Sequence, residues 1–280
     1  MRVAFTITQQ QRLTELGADI ETIERLFADE ATRNTVFKQI EVEHTKRNRQ
    51  KLKRLLSETR VTEAFRIEQA LSDWLTGEEG FTRVATPTII SAQALDNMTI
   101  TAENPLREQV YWLDEKHCLR PMLAPNLYIV MRDLRKIAGG PVRIFEAGSC
   151  FRKESQGAEH MNEFTMLNLV ELASVADGEQ MARLESLAHA AMEAAGIEQY
   201  ELVTEKSAVY GETLDIVSDG VEIASGSYGP HPLDANWGVF DTWVGLGIGI
   251  ERAALVKGRY RTIKRVGRSV AFLDGAPLQL

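Results

Sequence analysis

Residues Pro141 to Glu171 read P-V-R-I-F-E-A-G-S-C-F-R-K-E-S-Q-G-A-E-H-M-N-E-F-T-M-L-N-L-V-E, and this pattern decides the fold. Gly139-Gly140-Pro141 breaks whatever precedes it. Val142, Ile144, Phe145 and Phe151 then favour a strand. Ser155 to Asn162 is a polar turn, and Glu163 to Leu172 alternates again, with Phe164, Met166, Asn168 and Val170 on one face. The stretch is therefore a β-hairpin. Arg152 and Glu154, two apart at the end of the first strand, point to one side together with Cys150. A guanidinium fixed beside a carboxylate suits an anion such as phosphate, and equally describes a surface ion pair. Asn168 interrupts an apolar face. A buried amide costs roughly 1–3 kcal/mol unless hydrogen-bonded, so either a backbone group or a ligand must satisfy it.

Working outward, 280 residues allow one large domain, or one domain with a small appendage. The hydrophobic fraction of 44% and charged fraction of 26% are those of a soluble globular protein. No apolar run approaches the ~20 residues of a membrane span, and the N-terminus lacks a signal-peptide pattern. Cys118 and Cys150 are too few and too far apart for a finger-type zinc site, and a reducing cytoplasm is the expected setting. The net charge of −8 argues against a nucleic-acid coat protein. Two local patches run the other way: Lys46 to Arg54 and Lys257 to Arg268 each hold six basic residues and no acid. Each is either a solvated face or a contact for a polyanion.

Taken in order, Thr8 to Ala28 has helical rhythm, and Glu30 to about Leu56 forms a second helix carrying the first basic patch. Residues 1–57 read as a helical appendage, and 58–280 as the main domain. Val61 to Gly77 is an amphipathic helix with Ala64, Ile67, Leu71, Trp74 and Leu75 on one stripe. A strand follows over Gly80 to Ser91 and meets Pro87, and a short strand covers Gln109 to Leu113. A helix from Asn126 to Ile137 takes Asn126 as its N-cap, and Glu179 to Ala195 is an Ala-rich helix ended by Gly196. His189 on that helix reads as structural. Glu212 to Val217 and Val221 to Gly229 form a second hairpin across Ser218-Asp219-Gly220, with Tyr210 in the loop before it. Antiparallel hairpins flanked by helices indicate an α+β fold. Near the end stands T-W-V-G-L-G-I-G-I-E-R (Thr242 to Arg252). It is not a dinucleotide fingerprint, because the third required glycine falls on Ile250 or on Arg252.

F-R-K-E (Phe151 to Glu154), followed by His160 and Phe164, resembles motif 2 of the class II aminoacyl-tRNA synthetases. The helix, strand and Pro87 resemble motif 1, and G-I-G-I-E-R (Gly247 to Arg252) resembles motif 3. The wider run G-S-C-F-R-K-E-S … E-F-T-M-L-N is similar to the pyrrolysyl-tRNA synthetases, in compact forms without a separate N-terminal tRNA-binding domain. The resemblance implies a class II catalytic fold with an antiparallel sheet, a homodimer built on motif 1, ATP and Mg²⁺ as cofactors, and a tRNA partner.

It also implies roles. Arg152 contacts the α-phosphate and the amino-acid carboxylate. Arg252 holds the γ-phosphate end and lies against an adenine that stacks on Phe164. Glu154 and His160 complete the nucleotide site, and Glu222 with Ser225 holds Mg²⁺. On a regular strand residues three apart face opposite ways, so that pair needs a bulge, which Gly226 would permit, or a bridging water. Asn168 corresponds to the residue that hydrogen-bonds the amide of a long substrate side chain, and Tyr210 to a tyrosine closing over it. Leu123, Leu127, Tyr128, Met131, Val170, Ser227, Trp243 and Gly245 correspond to pocket walls. The spacing of Leu123, Leu127, Tyr128 and Met131 also fits plain core packing. The two basic patches are expected to serve tRNA contact, Lys264 and Arg265 of the second included, so that neutralising these two weakens tRNA binding and spares amino-acid activation.

The chain departs from the family in E-I-A-S-G-S-Y-G-P (Glu222 to Pro230), where Ser227 replaces a small aliphatic residue and Tyr228 a valine. Leu246 stands where alanine is usual. These changes spare the ATP machinery and leave two alternatives open: a different bulky or aromatic amino acid, or an inactive tRNA-binding relative. Tyr228 has the opposite parity to Ser227, so it points away from the pocket unless the strand is irregular.

Overall fold

The computed structural model describes all residues except 1, 154–156, 159 and 208. They form two compact units: residues 1–63 with 264–280, and residues 64–263.

The first unit contains helix α1 (Ile7–Leu16), closed at its start by a Thr6–Gln9 capping box and at its end by Gly17 at φ 84°. The helical rhythm expected over Thr8 to Ala28 therefore stops early. It continues only as a short turn, Ile20–Ile23, before Leu26–Phe27 pairs with Val3–Ala4. Helix α2 (Glu30–Arg54) packs beside α1, and Phe5, Leu13, Ala18 and Phe27 form a small core. The C-terminal residues belong to this unit. Arg265 is only 7% exposed. It donates to the Glu15 and Gly275 carbonyls, both at 2.7 Å, and its guanidinium lies 4.9 Å from the Phe272 ring centre. Arg265 is thus a structural clamp, which corrects its expected place in a tRNA-binding patch.

The second unit is built on one sheet. Helix α3 (Glu63–Gly77) leads in, burying Ile67, Leu71, Trp74 and Leu75 on the predicted stripe. The single strand expected over Gly80 to Ser91 is two: β1 (Thr82–Arg83), and Ile89–Ser91 in a separate pairing with His117–Leu119. Pro87, which has no amide hydrogen, stands between them. Gln109 to Leu113 is not a strand. Among these residues only Trp112 makes an isolated bridge, to Cys118. Helix α4 (Ala124–Ala138) starts two residues earlier than expected. The Asn126 side chain is not its cap. It donates instead to Thr86 Oγ1 and the Pro87 carbonyl, each at 2.8 Å.

The predicted hairpin is present as β2 (Val142–Phe151) and β3 (Glu163–Leu172), paired residue for residue over ten positions. Helix α5 (Gln180–Ala195) follows, ended by Gly196, with His189 on it bonded to the Tyr200 hydroxyl at 2.6 Å. The remaining strands are β4 (Glu201–Ser207), β5 (Gly211–Ser218), β6 (Val221–Gly229) and β7 (Trp243–Gly249), and helix α6 (Ile250–Lys257) leaves the last of them. The sheet order is β1-β2-β3-β7-β6-β5-β4, antiparallel except at the β1 edge. This is the α+β arrangement expected. Its core surrounds Cys118 and Cys150. Burial pushes their thiols up to about 11 and about 12, so both stay protonated and neither serves as a nucleophile.

Candidate active site

The period of two on β3 sends Phe164, Met166, Asn168 and Val170 to one face. There they meet α4, β6 and β7 around a cavity of about 310 Å³. Leu127, Tyr128 and Met131 reach the same cavity from α4, where their spacing forms one helical stripe. Tyr210, Ser227, Trp243 and Gly245 complete the apolar part, and Arg152, His160, Glu222, Ser225 and Arg252 the polar part. The fold therefore gathers fifteen of the seventeen residues singled out from the sequence. Leu123 is an exception: it is fully buried in the core and off the cavity wall. Glu154 lies outside the described residues.

Asn168 sits between Glu146 on β2 and Gly247 on β7. A Cβ at residue 247 would come within 3.0 Å of the Asn168 amide, so the glycine is what lets this side chain lie flat on the neighbouring strand. Its Oδ1 is buried and, among the described residues, has no hydrogen-bond partner. No backbone group satisfies it. An unmet acceptor in a cavity wall costs roughly 1–3 kcal/mol until a ligand donates to it.

At the polar end Arg152 Nε donates to the Pro121 carbonyl at 2.9 Å, and its guanidinium stands 5.3 Å from the Phe164 ring centre. Backbone and ring together fix its plane. Arg252 lies in the first turn of helix α6 and donates from Nη1 to the Glu222 carbonyl at 3.0 Å, with Glu222 Oε1 at 3.3 Å. The next residue back, Glu251, is buried and accepts from Thr165 N at 2.8 Å and Thr165 Oγ1 at 2.9 Å, tying α6 to β3.

The register of β6 slips by one between Glu222 and Ala224. That bulge brings Glu222 and Ser225 to the same cavity, and it lies at Ile223 rather than at Gly226. Ser225 Oγ donates to Asp215 Oδ1 at 2.6 Å, its cross-strand partner on β5. Burial pushes the Glu222 carboxyl above its ordinary value, against the Arg252 charge, and the Asp215 charge pushes it further. Sequence reading missed Asp215. Its signal was an acid inside the otherwise apolar alternation L-D-I-V. The side chains of Glu222, Ser225 and Asp215 offer only oxygen donors, the chemistry of a hard cation, so these residues fit Mg²⁺. Among the described residues no group of three or more His, Cys, Asp or Glu could hold a metal.

Of the three departures, Ser227 and Leu246 line the cavity, whereas Tyr228 is 41% exposed and off its wall. Parity decided its direction.

The sequence model for class II tRNA synthetases (D, K and N) matches residues 44–206. The structure of a pyrrolysyl tRNA synthetase from Desulfitobacterium hafniense, PylSc, superposes with a TM-score of 0.90 at 45% identity, over 99% of this chain and 96% of that one. The chain belongs to the pyrrolysyl-tRNA synthetases of class II. A second structure of pyrrolysyl-tRNA synthetase from the same organism gives a TM-score of 0.92 at 46% identity, covering 99% of both chains. Motifs 2 and 3 of this synthetase are thus the β2–β3 hairpin and the β7–α6 junction, adjacent in one sheet.

Proposed function

We propose that this synthetase activates pyrrolysine, or a closely related Nε-substituted lysine, with ATP and transfers it to a cognate tRNA. The observation that carries the reading is the unmet Asn168 Oδ1 in a cavity with apolar walls that Arg152 also lines. A side chain with a single amide part-way along its length answers that layout. The outward Tyr228 favours it over a different bulky amino acid, because the cavity keeps its depth.

In the first step the amino-acid carboxylate attacks the α-phosphorus of ATP and pyrophosphate leaves. Both reactants are anions, so the residues work by alignment and charge neutralisation. Arg152 holds the carboxylate and the α-phosphate, and carries the charge that grows on the phosphate oxygens. Arg252 holds the far phosphate, and its guanidinium and the Phe164 ring enclose the adenine. His160 borders the phosphates. Glu222 and Ser225 would hold Mg²⁺, which would supply charge neutralisation of the phosphates. In the second step a tRNA terminal hydroxyl attacks the activated carbonyl and AMP leaves.

Exposed basic residues on α2 support the tRNA contact: Lys46, Arg47, Arg49, Lys53 and Arg54. The second patch is thinner than its sequence, since Arg265 is buried and Lys257 donates to the Ala195 carbonyl at 2.8 Å. Replacing Lys46, Arg49 and Lys53 together by Ala is expected to lower the slope of log affinity for tRNA against log salt by roughly 2 to 3, leaving amino-acid activation intact. An unchanged slope removes α2 from the tRNA surface. The reading includes a homodimer on motif 1, supported by Phe65 on α3, 63% exposed, and action in the cytoplasm. No helix among the described residues is long and apolar enough to cross a membrane.

Asn168→Leu tests the carrying observation. It is nearly isosteric and removes both amide partners. The KM for pyrrolysine in pyrophosphate exchange is expected to rise by about 10- to 100-fold, from roughly 1–3 kcal/mol of lost hydrogen bonding, with the KM for ATP unchanged. An unchanged KM for pyrrolysine would show that the amide does not read the substrate.

A further inference from the structure

Strands β3, β7 and β6 lay out the sheet side of the cavity in rows. Asn168 stands opposite Gly247, and Gly247 opposite Ser225. Two residues along, and therefore on the same face, the next row is Val170, Gly245 and Ser227. The row after it holds Leu172, Trp243 and Gly229. The series leads away from the β7–α6 junction that carries Arg252. Ser227 is thus one row beyond Asn168, counted from Arg252.

Several polar groups of the wall are committed elsewhere. Tyr128 Oη donates to Asp234 Oδ1 at 2.9 Å and Trp243 Nε1 to Asp234 Oδ2 at 2.8 Å, and Asp234 lies off the cavity. Ser225 Oγ is held by Asp215. Ser227 differs. It is 8% exposed and lines the cavity, and among the described residues its hydroxyl has no hydrogen-bond partner. Its own row offers none, because Val170 is apolar and Gly245 has no side chain. A buried hydroxyl that gives up water without gaining a partner is costly, and alanine would fill the same place without that cost. Asn168 Oδ1, one row away, is in the same condition.

We propose that Ser227 is a specificity-determining residue: its hydroxyl donates to an acceptor atom in the substrate's acyl group, one row beyond the amide that Asn168 reads. The inference rests on reading the cavity as the site of an Nε-acyl lysine, and it narrows that class. The preferred acyl group carries a ring nitrogen or oxygen two bonds from the amide carbon. Successive rows on one face are roughly 7 Å apart along the strands. A hydrogen bond of about 2.8 Å at each end, with the short covalent path between amide and acceptor, spans that distance. The ring nitrogen of pyrrolysine stands at this position. A wholly carbocyclic acyl group of the same size leaves the hydroxyl unpaired, and a site built around a hydrogen bond discriminates against such an analogue.

A matched pair of substrates tests this in pyrophosphate exchange. Nε-(tetrahydrofuran-2-carbonyl)-lysine has a ring oxygen where Nε-cyclopentanecarbonyl-lysine has a methylene. A purely apolar pocket takes the carbocycle at least as well, since its ring gives up no hydrogen bond to water. The wild-type enzyme is expected to favour the oxygen-bearing substrate about tenfold in kcat/KM. In Ser227→Ala the preference falls to within twofold. The change comes from the oxygen-bearing substrate alone, with the cyclopentane substrate and the KM for ATP each moving less than twofold. The variant exchanges one small side chain for another, so its thermal midpoint stays within a few degrees of wild type. A preference that survives Ser227→Ala assigns the reading to another residue and overturns the proposal. An equal loss with both substrates also overturns it, because the hydroxyl is then only structural. A wild type that activates both equally overturns the reading of Ser227 while the proposed function stands. A wild type that activates neither, but does activate another amino acid, overturns the proposed function and the role of Ser227 with it.

Discussion

Arg152→Ala is expected to lower the turnover of pyrophosphate exchange by 10²–10³-fold, about 3–4 kcal/mol of transition-state stabilisation. The guanidinium faces charge that appears only as the carboxylate attacks the α-phosphorus. Its loss therefore falls mainly on kcat rather than on either KM. The structure makes the effect specific to arginine. Nε is committed to the Pro121 carbonyl and the plane rests against Phe164, which fixes the direction of the remaining donors. A lysine ammonium has neither the fork nor the plane, so Arg152→Lys is expected to recover less than a tenth of the lost activity. Neither change should move the thermal midpoint by more than a few degrees, because Arg152 lies at the cavity and is partly exposed. Single-turnover kinetics check the assignment. A loss below tenfold for Arg152→Ala would place the charge stabilisation elsewhere.

The largest effect on stability is expected at a place with no part in the chemistry. Arg120 and Glu146 form an ion pair at 2.7 Å with side chains 4% and 3% exposed. Glu146 also accepts from Thr86 N at 3.1 Å and Thr86 Oγ1 at 2.6 Å, while Arg120 donates to the Ser149 carbonyl at 2.9 Å. The network joins β2, beside Asn168, to the segment that carries Pro87. Glu146→Ala leaves the arginine charge buried and unpaired, which costs about 3–5 kcal/mol. Urea denaturation should show that loss as a lower midpoint at an unchanged m-value. The double change Arg120→Met with Glu146→Leu removes both charges and is expected to cost less than Glu146→Ala alone. A greater loss in the double variant would mean that the pair contributes net stability and not only specificity.

The parts of the fold legible in the sequence are those where one period runs long enough to fix a face. Ten alternating positions on β3 gave Asn168 its direction, and the same parity sent Tyr228 outward. Where pairing depends on distant partners, local pattern fails. Strand β4, E-L-V-T-E-K-S, is a half-polar sheet edge with little alternation and escaped notice, while Gln109 to Leu113 has strand composition but only one bridge. Charge runs mislead for a related reason. Arg265 looks like its neighbours in the sequence, yet three carbonyls from residues 14, 15 and 275 bury it. The sequence marks Asn126 as a cap because backbone N–H donors stand close by in any helix start, whereas its side chain donates to acceptors about forty residues away. The buried carboxylate Asp215 belongs to no motif, and its one mark in the sequence is an acid within the apolar alternation L-D-I-V. It acts on a neighbour that the sequence did reveal, Ser225.

The most direct test of the account is amino-acid-dependent pyrophosphate exchange by the unmodified enzyme with ATP and Mg²⁺. It should be run across pyrrolysine, Nε-acylated lysines, lysine and large aromatic amino acids. Exchange with pyrrolysine and the acylated lysines, and none with lysine, is the predicted result, since only the former bring an amide to Asn168. Exchange confined to an aromatic amino acid, or absent with every substrate even when tRNA is added, would contradict it.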